Sequence, residues 1–166
     1  YSGNWNNDMR SGFGKIEYKD GDYYEGNWSN DKRSGTGTYY FENGDRYVGS
    51  WSEDRAEAGG KYYSDSGDRY EGDFVEMLRH GKGTSFNADG SRYVGEWRDN
   101  QMNGEGLLTY HNGNVYEGTF IDGKRDGSGL VTFSDGGGYD GSFKDGEYHG
   151  RGVLTNSEGS RYEGGF

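Results

Sequence analysis

A tyrosine returns every 23 residues, at positions 1, 24, 47, 70, 93, 116, 139 and 162, with no insertion or deletion anywhere in the chain. Each is followed two residues on by Gly and four on by Trp or Phe, as in Tyr24-Gly26-Trp28 and Tyr70-Gly72-Phe74. A Gly-x-Gly comes next, as at Gly12/Gly14 and Gly35/Gly37, and only the third unit departs, with Ala58 and Gly60. A further Gly stands three residues before each following Tyr. A fixed period of this length means one supersecondary unit copied along the chain, so the architecture is whatever 23 residues can build.

Glycine at so many fixed places excludes helix. The Tyr-x-Gly-x-Trp segment alternates with period two, which puts Tyr, Gly and Trp on one face of a strand and residues such as Glu25 and Asn27 on the other. The Gly between two rings leaves room for a ring to lie across the backbone. A second strand follows Gly-x-Gly, as in Lys15-Ile16-Glu17-Tyr18, and Asp20-Gly21, Asn43-Gly44 or Asp89-Gly90 then gives the Asx-Gly signal of a hairpin turn. The other connection, as at Asn7-Asp8, reads as longer and polar. Two registers fit the Asx-Gly turn. A two-residue turn would set Tyr40, Tyr63 and Phe86 beside the Tyr/Trp rows; a three-residue turn with a Gly bulge would set Ile16, Tyr39, Tyr62, Leu108, Val131 and Leu154 there. The bulged turn is preferred, since it would place the second Gly of Gly-x-Gly opposite Trp or Phe, where bulk would clash. The expected fold is all-β: an elongated single-layer antiparallel meander over residues 1–166, with seven hairpin repeats and a partial eighth at 162–166.

Composition decides whether such a chain folds at all. Leu, Ile, Val and Phe together number only 21, and the net charge is −11, a profile that ordinarily reads as disorder. The 16 Tyr, 8 Phe and 4 Trp overturn that reading, because rings bury large area per residue. They leave nothing for a second layer. With no Cys and three His there is no disulfide framework and no expected zinc cluster. No apolar stretch approaches a membrane span and no signal segment opens the chain, so a cytoplasmic protein is expected. Strong acidity argues against nucleic acid and, more weakly, against anionic membranes.

Chemistry finds little foothold. Gly136-Gly137-Gly138-Tyr139-Asp140-Gly141 matches Gly-x-Gly-x-x-Gly, but its glycines hold repeat positions and a strand, not a helix, follows. The triple glycine reads as a flexible seam. Carboxylates beside the turn glycines lack the short period of a calcium roll. His80, His111 and His149 have no partner constellation. The expectation is no enzyme, no cofactor and no metal.

Tyr-x-Gly-x-Trp/Phe, Gly-x-Gly and Asx-Gly on a 23-residue period resemble the MORN (membrane occupation and recognition nexus) repeat over essentially the whole chain. The resemblance implies a twisted single-layer sheet whose aromatic-lined face holds a partner segment. It also implies a scaffold role in cytoskeletal, cortical or ciliary assemblies, with dimerisation in some members. A single layer should leave part of its rings uncovered, and exposed aromatic patches mark interaction sites. The candidate partner-binding residues are Tyr24, Trp28, Tyr47, Trp51, Tyr70, Phe74, Tyr93, Trp97, Tyr116 and Phe120, taking a helix or extended segment. Strand edges point to a homo-oligomer. Two alternatives stand beside this reading: peripheral phosphoinositide-membrane binding, and an accessory regulatory domain of a larger enzyme, since the chain opens without Met and stops inside a unit. The pairs Lys32-Arg33 and Lys124-Arg125 are candidate head-group contacts, but read as loop charges neutralised by Asp31 and Asp126.

Overall fold

A computed structural model describes every residue from Tyr1 to Phe166, and all regular structure in it is antiparallel β. The chain divides into two compact units, Tyr1–Gly81 and Lys82–Phe166. The first holds β1 (Ser2–Asn6), β2 (Met9–Glu17), β3 (Tyr23–Ser29), β4 (Lys32–Tyr40), β5 (Arg46–Ser52), β6 (Arg55–Ala56), β7 (Gly60–Tyr63) and β8 (Arg69–Val75). Strand β9 (Leu78–Phe86) runs through the boundary. The second unit continues with β10 (Arg92–Arg98), β11 (Gln101–Thr109), β12 (Val115–Ile121), β13 (Lys124–Thr132), β14 (Gly138–Lys144), β15 (Glu147–Thr155) and β16 (Arg161–Gly165). Within each unit neighbours in sequence are neighbours in one sheet, the short β6 pairing off the main path with β5.

Two turn types alternate. At the Asx-Gly end Tyr18 donates its amide to Asp22 O (2.9 Å) and Gly21 donates to Tyr18 O, with Gly21 at φ +96°. This is the three-residue bulged turn, and the register agrees with it: Ile16 faces Tyr24, Tyr39 faces Tyr47, Leu108 faces Tyr116 and Val131 faces Tyr139. The same geometry holds at Phe133–Gly137, so the triple glycine makes an ordinary turn of the series.

The other connection is shorter than its sequence suggests. Asn6 pairs with Met9 and Ser29 with Lys32, leaving two-residue loops whose residues both sit at positive φ (Asn7 +49°, Asp8 +62°; Asn30 +48°, Asp31 +66°). That is the type I′ pattern, which matches strand twist and favours Asn and Asp. The fourth copy uses Glu76 (+50°) and Met77 (+66°), residues with no such preference.

The expectation for the second Gly of Gly-x-Gly is corrected. It lies opposite another glycine: Gly14 faces Gly3 on one side and Gly26 on the other, Gly37 faces Gly26 and Gly49, and Gly129 faces Gly118 and Gly141. Residues opposite Trp28 and Trp51 are the first glycines of each pair, Gly12 and Gly35. The two glycines thus have different reasons to be there. The first stands in the left-handed region (Gly12 +68°, Gly35 +66°, Gly104 +64°) and carries a β-bulge. The second belongs to a row of glycines over which the tyrosine rings lie flat.

Repeat three shows what happens when the first glycine is missing. Ala58 holds its place, Gly59 takes the positive φ instead (+79°), and the strand breaks into β6 and β7.

Candidate functional site

The ten candidate rings are buried, six in the first unit and four in the second. Tyr24, Tyr47 and Tyr116 are 0% exposed, Tyr70 and Tyr93 1%, and the most accessible of the ten, Trp97, only 6%. Each tyrosine covers the glycines of its own and the next strand: a Cβ on Gly26 or Gly37 would run into Tyr24, and one on Gly118 or Gly129 into Tyr116. Its hydroxyl closes a bond to the carbonyl three residues on (Tyr24 to Asn27, 3.1 Å; Tyr116 to Thr119, 2.9 Å), although Tyr47 reaches Glu57 O (3.1 Å) where repeat three is broken. Trp28, Trp51 and Phe74 in the first unit, and Phe120 and Phe143 in the second, each wedge edge-on between their own tyrosine and that of the preceding repeat. Trp51 lies 5.3 Å from both Tyr47 and Tyr24, and Phe120 5.1 Å from both Tyr116 and Tyr93. T-shaped pairs at this separation are the favoured ring geometry. Burial pushes the Tyr24, Tyr47, Tyr93 and Tyr116 hydroxyls up to about 12.

Side chains from the I′-turn end seal the outer side of these wedges. Arg10 lies 4.3 Å over Trp28 and Arg33 4.3 Å over Trp51, each held by the aspartate 21 residues on (Arg10 Nε to Asp31, 3.1 Å; Arg33 Nε to Asp54, 3.2 Å). Tyr148 stacks on Tyr139 at 3.9 Å in the equivalent place. The indole N–H groups of Trp28 and Trp51 donate to Gly14 O (3.1 Å) and Gly37 O (3.3 Å). A sheet one layer thick thus closes over its own rings, and the exposed stripe expected from a single layer does not consist of these ten residues.

What remains accessible on that face is a second tier, which sequence reasoning touched only through the register. Tyr18, Tyr39, Phe41 and Tyr62 are all half-buried and form a connected run, with ring centroids 5.9 Å apart for Tyr18–Tyr39, 4.9 Å for Tyr39–Phe41 and 6.1 Å for Phe41–Tyr62. The Tyr39 hydroxyl donates to Asp22 (2.6 Å), that of Tyr62 to Asp45. Burial alone would raise the Asp45 carboxyl, yet bonds from Tyr62, the Asp65 amide and Asn43 hold it below the usual carboxylate range. A sequence signal existed. The residue 17 before Tyr39 and Tyr62 is Asp22 or Asp45, whereas 17 before Leu108, Val131 and Leu154 stand Ser91, Asn114 and Gly137.

The basic pairs lie in ion pairs with the next repeat: Lys32 with Glu53, Lys124 with Asp145 (3.1 Å). Asp31 and Asp126, the acids beside them in sequence, bind Arg10 and Lys144 instead. No group of three or more His, Asp or Glu is placed to hold a metal, and no helix is long and apolar enough to cross a membrane.

Flat tyrosines over a glycine row, wedged rings and alternating I′ and bulged turns define a class: single-layer hairpin-repeat proteins. The MORN repeat matches residues 1–23, 24–46, 47–69, 70–92, 93–115, 116–138 and 139–161, and the chain belongs to the MORN-repeat family. No curated protein matches it. Among solved structures, the SAS-4 (dCPAP) TCP domain of Drosophila melanogaster, in complex with a proline-rich motif of Ana2 (dSTIL), is similar at 14% identity and a TM-score of 0.54, over 92% of this chain and 83% of that one. The TCP10 domain of Danio rerio CPAP with a STIL peptide is similar at 16% identity and a TM-score of 0.38, covering 92% and 67%. The TCP10c domain of Drosophila Sas-4 gives 13%, 0.40, 91% and 97%. The first of these likenesses shows a shared fold.

Proposed function

We propose that the chain is a non-enzymatic protein-interaction scaffold that takes a partner segment against its ring-lined face, in a cytoskeletal, cortical or ciliary assembly of the cytoplasm. One observation carries the reading. The Tyr18, Tyr39, Phe41 and Tyr62 tier of the first unit is a connected set of half-exposed rings that meets the buried rings where Tyr39 lies 6.3 Å from Trp51, and it is fixed from the side by Asp22 and Asp45. Rigid aromatic surface with a polar handle is the kind that dominates interface energetics at low entropic cost. Tyr24, Trp28, Tyr47, Trp51, Tyr70 and Phe74 contribute to binding as the buried rings behind that tier, and Tyr93, Trp97, Tyr116 and Phe120 are the corresponding buried rings of the second unit. The similar SAS-4 domain binds a proline-rich motif, which makes proline-rich segments the first partner class to try. The phosphoinositide reading has less support, since Lys32 and Lys124 are engaged by Glu53 and Asp145.

The test is a peptide panel of proline-rich, amphipathic-helical and extended sequences, screened against the wild type, the Tyr39→Ser/Tyr62→Ser variant and the Lys32→Ala/Lys124→Ala variant. The proposal expects one class to bind and to lose at least about tenfold in affinity when the two rings are removed. Binding that follows the lysines and ignores the rings would overturn it.

A further inference from the structure

The face opposite the rings carries an order of its own in the second unit. Leu107, Glu117, Leu130, Asp140, Val153 and Glu163 stand side by side across six strands, each the Cα partner of the next. Apolar and acidic residues alternate strand by strand. Leu130 is 44% exposed, Glu117, Asp140 and Glu163 are exposed, and Leu107 and Val153 are half-buried. Glu163 is paired with Arg161 (2.7 Å), while Glu117 and Asp140 make no ion pair. The unit carries thirteen Asp or Glu against eight Lys or Arg.

Strands in a sheet are spaced about 4.8 Å, so apolar residues recur about every 9.6 Å along this row, and so do acids. A ligand running across the strands must repeat at that interval. A polyproline II helix advances about 3.1 Å per residue with three residues per turn, giving about 9.3 Å between residues i and i+3 on one edge. An α-helix offers about 10.5 Å at i, i+7. An extended strand offers about 6.7 or 13.4 Å between residues on one face. Over the two intervals from Leu107 to Val153 the polyproline helix drifts by about 0.6 Å and the α-helix by about 1.8 Å. Only the first keeps step with the row.

We propose that this face of the second unit is a docking track for a basic, proline-rich segment in polyproline II conformation. One edge of the segment, prolines at every third residue, lies on Leu107, Leu130 and Val153. A second edge, Lys or Arg at every third residue, meets Glu117 and Asp140, the long side chains taking up the offset between prolyl and acidic positions. The charge complementarity is local to the unpaired acids, and the stiff ligand loses little conformational entropy on binding. The inference rests on the chain being a protein-binding scaffold, but it uses a different face from the aromatic tier.

The test is fluorescence anisotropy of labelled (Pro-Pro-Lys)5 with the full chain. Saturable binding is expected. It should fall at least tenfold in Leu130→Ser and in Glu117→Lys/Asp140→Lys, and the latter should gain affinity for (Pro-Pro-Glu)5. The equally charged but flexible (Gly-Ser-Lys)5 should bind at least tenfold more weakly than (Pro-Pro-Lys)5. Equal binding of the two cationic peptides would reduce the effect to net charge and overturn the proposal. So would binding indifferent to the face variants. If affinity is instead lost in Tyr39→Ser/Tyr62→Ser, the track is wrong and the scaffold reading stands.

Discussion

Gly37→Ala tests the central packing argument, because an alanine is the smallest change that separates a backbone glycine from a space-demanding one. Gly37 sits in the glycine row between Gly26 and Gly49 and needs no unusual φ. An added Cβ would stand 2.5 Å from Cε2 of Tyr24 and nearer still to its Cζ and hydroxyl. The ring has nowhere to go: it is fully buried, edge-on to Trp28 and Trp51 at 5.3 Å each, and bonded through its hydroxyl to Asn27 O. Overpacking of this kind costs about 1–3 kcal/mol, and a displaced hydroxyl adds about 1 kcal/mol for its lost bond. Gly37→Ala should therefore destabilise by about 2–4 kcal/mol. Tyr24→Ala alone should cost about 3–5 kcal/mol. Once the ring is gone the three atoms nearest the added Cβ go with it, and the advantage of alanine over glycine in a strand, about 0.5–1 kcal/mol, is no longer outweighed by that clash. The double-mutant cycle should then show a coupling of about 2.5–5 kcal/mol, far above the few tenths expected of independent sites. Urea titration followed by tryptophan fluorescence reads it directly, since Trp28 and Trp51 flank the ring. Gly165→Ala, whose Cβ would have no neighbour nearer than 3.9 Å, is the control and should leave the midpoint in place. Additive effects of Gly37→Ala and Tyr24→Ala would refute the idea that the glycines exist to seat the tyrosines.

Two further outcomes are expected. Tyr24, Tyr47, Tyr93 and Tyr116 keep their protons up to about pH 12 in the folded chain, whereas unfolded tyrosine ionises near pH 10. Their contribution is fully present below pH 10 and is lost as pH rises through the folded value, so tyrosinate absorbance from them should appear only together with loss of the β circular dichroism signal; ionisation near pH 10 in an intact sheet would contradict the packing. Met77→Gly should raise the denaturation midpoint by the equivalent of about 1 kcal/mol, as it removes a side chain from the left-handed region at φ +66°, and an unchanged or lower midpoint would mean that the Met77 side chain contributes more than its backbone strain takes away.

Periodicity made the hairpin legible but left two registers for its Asx-Gly turn, and the contact that favours the bulged one in sequence, the second Gly against Trp or Phe, is not the one the sheet makes. It also selected the aromatic residues that pack together. Three things lay beyond it. Asn7-Asp8 looks like any polar loop until the pairing of Asn6 with Met9 shows that both residues must be left-handed. Gly12 and Gly14 look alike in sequence, yet one serves the backbone and the other a ring. Exposure was the largest gap. That a single layer can bury tyrosines completely depends on rings lying flat along the sheet and on Arg10, Arg33 and Tyr148 closing over the wedges, a cross-repeat geometry that no single unit displays.

The two turns hold only two and three residues, and this governs how such a chain can change. Sliding one strand by a single residue would send every ring after it to the opposite face. An inserted or deleted residue therefore has no loop in which to hide, and repeat three accommodates its missing glycine by breaking a strand while holding the count at 23. Substitutions can accumulate at the exposed positions of either face, but length can change only by whole hairpins, each displacing the later strands by about 9.6 Å. Point mutation thus alters the chemistry of the binding faces, and duplication or loss of a copy alters their reach in steps of one graduation.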